Sequence, residues 1–246
     1  MADELAGSAA VGRQPTAASV DVLVTVPLNE QFMTRLQGVD PRARVRLAPP
    51  PLRRWLRGEG PADAEGQAAV EQLAVEYLDP AQAMVGWARL PKEALTRATR
   101  LRWLQTISAG IDRMDPDDYR HLIMTNASGV AAVAMAEYVI GAMLLFGKGF
   151  PHMMRRQREH VWDRRFEARE ISGKTCGIVG MGAIGGEVAR RARAMEMRVI
   201  ATRRTVTART SDDLAHELLP ASDLPYLLAE SDYVVLAMPS SQRLGG

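Results

Sequence analysis

The chain has 246 residues, enough for two modest domains, and 31 basic against 29 acidic side chains leave a net charge of +2. That balance gives no electrostatic case for a nucleic-acid or membrane partner, and the arginines of 155–167 are interleaved with acids as on a solvated surface. One cysteine excludes an internal disulfide, and no run approaches ~18 apolar residues, so a cytoplasmic protein is expected.

Residues 1–19 are rich in Ala, Gly and Ser without periodicity and read as a loose tail. Strands are predicted over 21–27, 44–48, 83–87, 101–107 and 122–126, with helical segments over 29–36, 69–77 and 91–98. Strands alternating with helices imply a parallel sheet with right-handed crossovers. The apolar segment 131–146 is too long for a strand and reads as a buried helix, and the arginine-rich stretch 155–170 reads as a linker or arm. There follow a strand over 175–180, a helix over 183–195, a strand over 197–202, a helix over 222–229 and a strand over 232–237. Three strands amount to half of a dinucleotide fold, which would leave the 175–180 strand with an unpaired edge. Cys176, inside that strand, reads as a small core residue.

Gly180, Gly182 and Gly185 stand at the G-x-G-x-x-G spacing of a dinucleotide-binding turn. Gly180 allows the tight turn out of the strand, Gly182 lets a pyrophosphate approach the backbone, and Gly185 removes a side chain where helix meets strand. The helix opening at Ala183 and Ile184 points its first amides and positive dipole end at the phosphates. The strand before the turn and the strand after the helix supply the context this motif requires. A purely structural turn would use the same glycines.

An NAD site places a carboxylate about 20 residues further on, to bond the ribose 2′-hydroxyl. Here the place holds Thr202, Arg203, Arg204 and Thr205. A guanidinium offers a planar fork of donors that suits a phosphate, so the sequence predicts preference for NADP(H), with NAD(H) as the lesser cofactor. Two solvated arginines at a strand end are the alternative.

Four stretches together resemble the D-isomer-specific 2-hydroxyacid dehydrogenase family: Leu104–Asp112, Thr125–Val130 running into Ala136-Glu137, Gly173–Gly185, and Ser231–Pro239. They lie in the family's order, and the likeness is nearest to its glyoxylate and hydroxypyruvate reductases. The resemblance implies an α/β chain: a flavodoxin-like substrate domain over 20–130, a connecting helix and arm over 131–170, and the first half of a Rossmann NAD(P)-binding domain over 171–246. It implies hydride transfer between NADPH and a small 2-keto or 2-hydroxy acid. Ser108, Ala109 and Gly110 would hold the substrate carboxylate through backbone amides, a sound anion cradle without a charged side chain. Pro239 would border the cofactor. Homodimers are the family's usual state.

The family's catalytic arginine, glutamate and histidine are expected C-terminal to the strand ending near Ala237, so the resemblance assigns no catalytic residue in this sequence. Arg243 is not placed in the arginine motif. His121, His152, His160 and His216 match no catalytic position and read as surface or packing residues. Trp87 and Met135 read as packing residues in preference to pocket residues. The chain is expected to be the N-terminal part of an enzyme, ended by a fragment boundary, an early stop or a frameshift, and inactive alone. The other reading is a non-catalytic dinucleotide-binding remnant, or an interaction protein that senses NADPH.

Overall fold

In both sheets the named strands run parallel to their neighbours. A computed structural model describes residues 19–87, 89–110 and 114–238, and the chain divides into two units, Met1–Asn126 and Ala127–Gly246.

The first unit runs β1 (Val20–Val24), α1 (Glu30–Gln37), β2 (Ala43–Leu47), α2 (Pro50–Leu56), α3 (Ala64–Leu73, continued by a wider π turn to Leu78), β3 (Ala83–Gly86), α4 (Lys92–Arg97), β4 (Trp103–Thr106), α5 (Pro116–Tyr119) and β5 (Ile123–Thr125). The order β2-β1-β3-β4-β5 is that of the flavodoxin-like folds. Leu23, Met84 and Leu104 from the strands meet Leu52, Leu56 and Leu101 in its core, all fully buried. Helix α2 departs from the predicted elements. Its proline run looks like a breaker, yet proline is compatible with a first helical turn because the amides there have no intrahelical acceptor.

The second unit runs α6 (Ala132–Gly147), α7 (Phe150–Arg158), β6 (Thr175–Val179), α8 (Ala183–Ala194), β7 (Arg198–Thr202), β8 (Glu217–Leu219), α9 (Leu224–Glu230) and β9 (Tyr233–Leu236). Its sheet has the order β8-β7-β6-β9. Two expectations are corrected. Among the described residues the sheet has four strands where three were predicted, because β8 is only three residues long. And β6 has no open edge: it pairs with β7 on one side and β9 on the other, and every residue of it is buried. The reversal of strand order between β6 and β9 is the switch point of a doubly wound fold, so that crevice lies within this chain.

Helix α6 is not buried on all sides, as its composition suggested. Ala132, Ala136, Ile140, Met143 and Gly147 form one buried stripe, of which Ala136, Ile140 and Met143 share a core with Val188, Ala189 and Ala192 of α8. Val133, Tyr138, Leu145 and Phe146 are exposed. The predicted arm is also partly helical. Gly149 adopts φ +67°, which breaks α6 from α7, and the Phe166 ring packs against its Cα. Among the described residues no single helix is long and apolar enough to cross a membrane.

Candidate nucleotide site and carboxylate turn

The second unit builds its site where β6 ends. Gly180 has φ +102°, a conformation that favours glycine, and a Cβ there would sit 2.9 Å from the Ala237 backbone at the end of β9. The turn is tied to β7 as well. Gly180 donates its amide to the carbonyl (3.2 Å) and the hydroxyl (3.3 Å) of Thr202, and Met181 donates to the same carbonyl at 2.9 Å. The glycine turn is therefore clamped between the ends of β7 and β9, at the switch point.

The other two glycines have different surroundings. A Cβ on Gly185 would collide with the Gly180 carbonyl oxygen, so helix α8 seats against the turn only because that side chain is absent. Around a Cβ on Gly182 nothing among the described residues lies within 4 Å, which leaves open space over the turn. Gly182 is the N-cap residue of α8, and no side chain caps the first turn through Ala183, Ile184 and Gly185. The first amides of a helix lack intrahelical acceptors, and the dipole adds about half a positive charge there. The nearest acid on the helix, Glu187, pairs with Arg190 first and then Arg191, which hold its carboxyl below the usual range. A close backbone approach, an uncapped helix start and open space fit a pyrophosphate.

Thr202 is buried at the end of β7, and Arg203 and Arg204 are exposed just beyond it. Arg203 Nε donates to the Met181 carbonyl oxygen at 3.2 Å, which brings its guanidinium back to the glycine turn. No sequence signal pointed to Met181 or Ala237, since both contribute backbone atoms. Cys176 is fully buried as expected, and desolvation pushes its thiol up to about 12.

In the first unit, Ser108, Ala109 and Gly110 follow β4. Thr106 Oγ1 donates to the Ser108 carbonyl (2.8 Å), Asn126 Nδ2 to that of Ala109 (3.0 Å) and Ser108 Oγ to that of Gly110 (3.0 Å). All three carbonyl oxygens are thus held by side chains, which fixes the turn. Trp87 and Met135 were expected in the core, but they are 40% and 46% exposed. Pro239 and Arg243 lie outside the described residues. Of the histidines, His216 accepts the Val199 amide through Nδ1 at 2.9 Å. His152 bonds Asp163 at 2.9 Å and stacks on Phe166 with 4.7 Å between ring centroids.

Residues 140–244 match the family described as D-isomer specific 2-hydroxyacid dehydrogenase, NAD binding domain. The chain is 30% identical over 161 residues to a D-3-phosphoglycerate dehydrogenase of Archaeoglobus fulgidus, covering 64% of this chain and 30% of that protein. It is 31% identical over 165 residues to a glyoxylate reductase of Pyrococcus furiosus, covering 63% of this chain and 48% of the relative. It thus spans at most about half the length of these curated relatives. A solved structure of a D-isomer specific 2-hydroxyacid dehydrogenase family protein from Aeromonas salmonicida superposes with TM-score 0.70 at 21% identity, over 92% of this chain and 66% of that one.

Proposed function

Because the chain belongs to the D-isomer specific 2-hydroxyacid dehydrogenase family, we propose that it serves an NADP(H)-dependent oxidoreductase acting on a small 2-keto or 2-hydroxy acid. The observation that carries this reading is the turn at Gly180, Gly182 and Gly185 with Arg203 fastened to its Met181 carbonyl. Gly182 and the uncapped start of α8 would receive the pyrophosphate, and Arg203 with Arg204 would receive a ribose 2′-phosphate where an NAD site has a carboxylate. The cofactor, when bound, supplies the hydride equivalent of the reaction.

Ser108, Ala109 and Gly110 would hold the acid's carboxylate. With their carbonyls tied back by Thr106, Asn126 and Ser108 itself, the backbone amides are the groups this turn has to offer an anion. No proton-transfer role is assigned to a histidine: His152 and His216 are engaged elsewhere in the fold. The same reading takes the protein as a cytoplasmic homodimer. Exposed Phe150, Met153, Met154 and Trp162 on α7 and the arm support a pairing surface there.

Titration of the 246-residue chain with NADPH and with NADH tests this reading without requiring turnover. Tighter binding of NADPH is expected. Equal affinities would remove the assigned role of the arginines, and no binding of either would remove the nucleotide site.

A further inference from the structure

Strand β4 and the turn after it carry a continuous line of side-chain hydrogen bonds. Trp103 and Gln105 stand two residues apart on one face of β4, and Thr125 of β5 lies opposite Gln105 in the parallel register. Trp103 Nε1 donates to Thr125 Oγ1 at 2.8 Å, and Thr125 Oγ1 donates to Gln105 Oε1 at 2.6 Å. Gln105 Nε2 donates to the Thr106 carbonyl at 2.8 Å, and Thr106 Oγ1 to the Ser108 carbonyl at 2.8 Å. Chemistry sets every direction in this line. An indole N–H only donates and a carbonyl only accepts, so Gln105 turns its nitrogen to Thr106 and its oxygen to Thr125. The single hydroxyl proton of Thr125 is then committed to Gln105, and a lone pair of the same oxygen takes the Trp103 proton.

We propose that Thr125 and Gln105 are positioning residues, which together with Thr106 aim the backbone amides of the Ser108–Gly110 turn at the substrate carboxylate. The proposal rests on the reading of that turn as the carboxylate holder. In a planar trans peptide the N–H points away from the C=O of the same unit. A side chain that pins a carbonyl therefore also aims the amide of the next residue. Gln105 pins the Thr106 carbonyl, and the amide of that peptide, Ile107 N–H, donates to the Gly86 carbonyl of β3 at 2.9 Å. The base of the turn is thus fixed between two strands. Further along, Thr106 pins the Ser108 carbonyl and so aims the Ala109 amide. Asn126, the residue after Thr125, pins the Ala109 carbonyl at 3.0 Å and so aims the Gly110 amide. Hydrogen bonds in series polarise one another, by roughly 10–30% each, so a donor on a carbonyl also strengthens the bond its peptide N–H makes to an anion. Thr106 is fully buried, which leaves its hydroxyl no water to exchange with.

The test is a titration of the isotopically labelled 246-residue chain with sodium glyoxylate, followed by nuclear magnetic resonance at the Ala109 and Gly110 amides. In the wild type both resonances should shift saturably. Thr125→Val keeps the shape of the side chain and breaks the line at its far end, and Thr106→Val breaks it beside the turn. Each should weaken glyoxylate binding about three- to tenfold, the loss of one ordinary hydrogen bond. Thr125→Ser and Thr106→Ser restore the hydroxyl and should recover most of the affinity. Thr125 is exposed, so its variants should keep the wild-type circular dichroism and decide the matter even if Thr106→Val does not fold. A wild type whose Ala109 and Gly110 amides do not respond would remove the carboxylate reading, and this proposal with it. A responsive wild type with an equally tight Thr125→Val variant would overturn the proposal alone. So would equal losses in Thr125→Val and Thr125→Ser, since packing and not the hydroxyl would then be the cause.

Discussion

Arg203 and Met181 are joined by a bond from the guanidinium Nε to a main-chain oxygen, 3.2 Å long. It couples the residue just past β7 to the middle of the glycine turn, so the guanidinium is oriented before any ligand arrives. One of the five donors of the arginine is used, and the terminal nitrogens retain the fork that matches a phosphate. Preorganisation of this kind reduces the ordering cost of binding.

Replacing Arg203 by Asp should therefore abolish a preference for NADPH over NADH. A hydrogen bond to a charged group contributes about 1.5–3 kcal/mol, roughly a 10- to 150-fold change in relative affinity. Arg203→Lys should retain part of the preference, since the charge remains and the fork is lost. Calorimetric titration of both cofactors against the three proteins measures this. An unchanged ratio in the Asp variant would place the discrimination elsewhere.

The glycines of the turn should separate binding from folding. Gly182 has an extended backbone and open space around it, so Gly182→Val should cost about 1 kcal/mol or less as a poorer helix cap. The branched side chain would nonetheless occupy the space over the turn and abolish nucleotide binding. Gly185→Ala drives a methyl into the Gly180 carbonyl and should destabilise the second unit by about 1–3 kcal/mol. Urea denaturation paired with NADPH titration distinguishes the two, and a Gly182→Val protein that still binds would contradict the assignment.

The arm should loosen in acid. Asp163 accepts from the Arg165 amide at 3.0 Å and from His152 Nε2 at 2.9 Å, and these bonds hold its carboxyl below the ordinary value of 3.8. A depressed carboxyl contributes in full above its unfolded value and loses that contribution as pH falls through the folded one. Fluorescence of exposed Trp162, beside Asp163, should thus change from near pH 3.8 downward. Asp163→Asn should lack that step, and superimposable acid titrations of the two proteins would rule the mechanism out.

Cys176 should report global unfolding. With its thiol buried in β6 and pushed up to about 12, almost no thiolate exists at pH 8. Reaction with a disulfide reagent should be negligible in the folded chain and should track the denaturant transition measured by circular dichroism. Rapid labelling in the absence of denaturant would mean that β6 opens locally.

The parts of the site that depend on residue type at fixed spacing were readable from sequence. Gly180 and Gly185 do what their spacing implied, because φ +102° and a missing Cβ are properties of glycine itself. The bond from Arg203 to Met181 was not readable, since any residue supplies a carbonyl. Elements without a core-facing stripe escaped as well. Helix α7 is nine residues long, and its arginine-rich second half read as part of a linker or arm. Strand β8 is only three residues long, too brief for alternation to show. Trp87 and Met135 were misplaced for a related reason: bulk and apolarity predict burial on average, whereas the fold has finite room inside.

The position of β6 between β7 and β9 bears on how the chain acquires its structure during synthesis. The turn at Gly180 meets its partner Thr202 after 22 residues, whereas Thr175 at the start of β6 waits for Asp232, 57 residues on. At a ribosomal rate of roughly 5–20 residues per second, that interval lasts several seconds, long compared with hairpin or helix formation. During it, one side of the most buried strand in the sheet has no mate, and a chaperone that binds apolar extended segments has its opportunity there. Arrival of Tyr233–Leu236 closes that side.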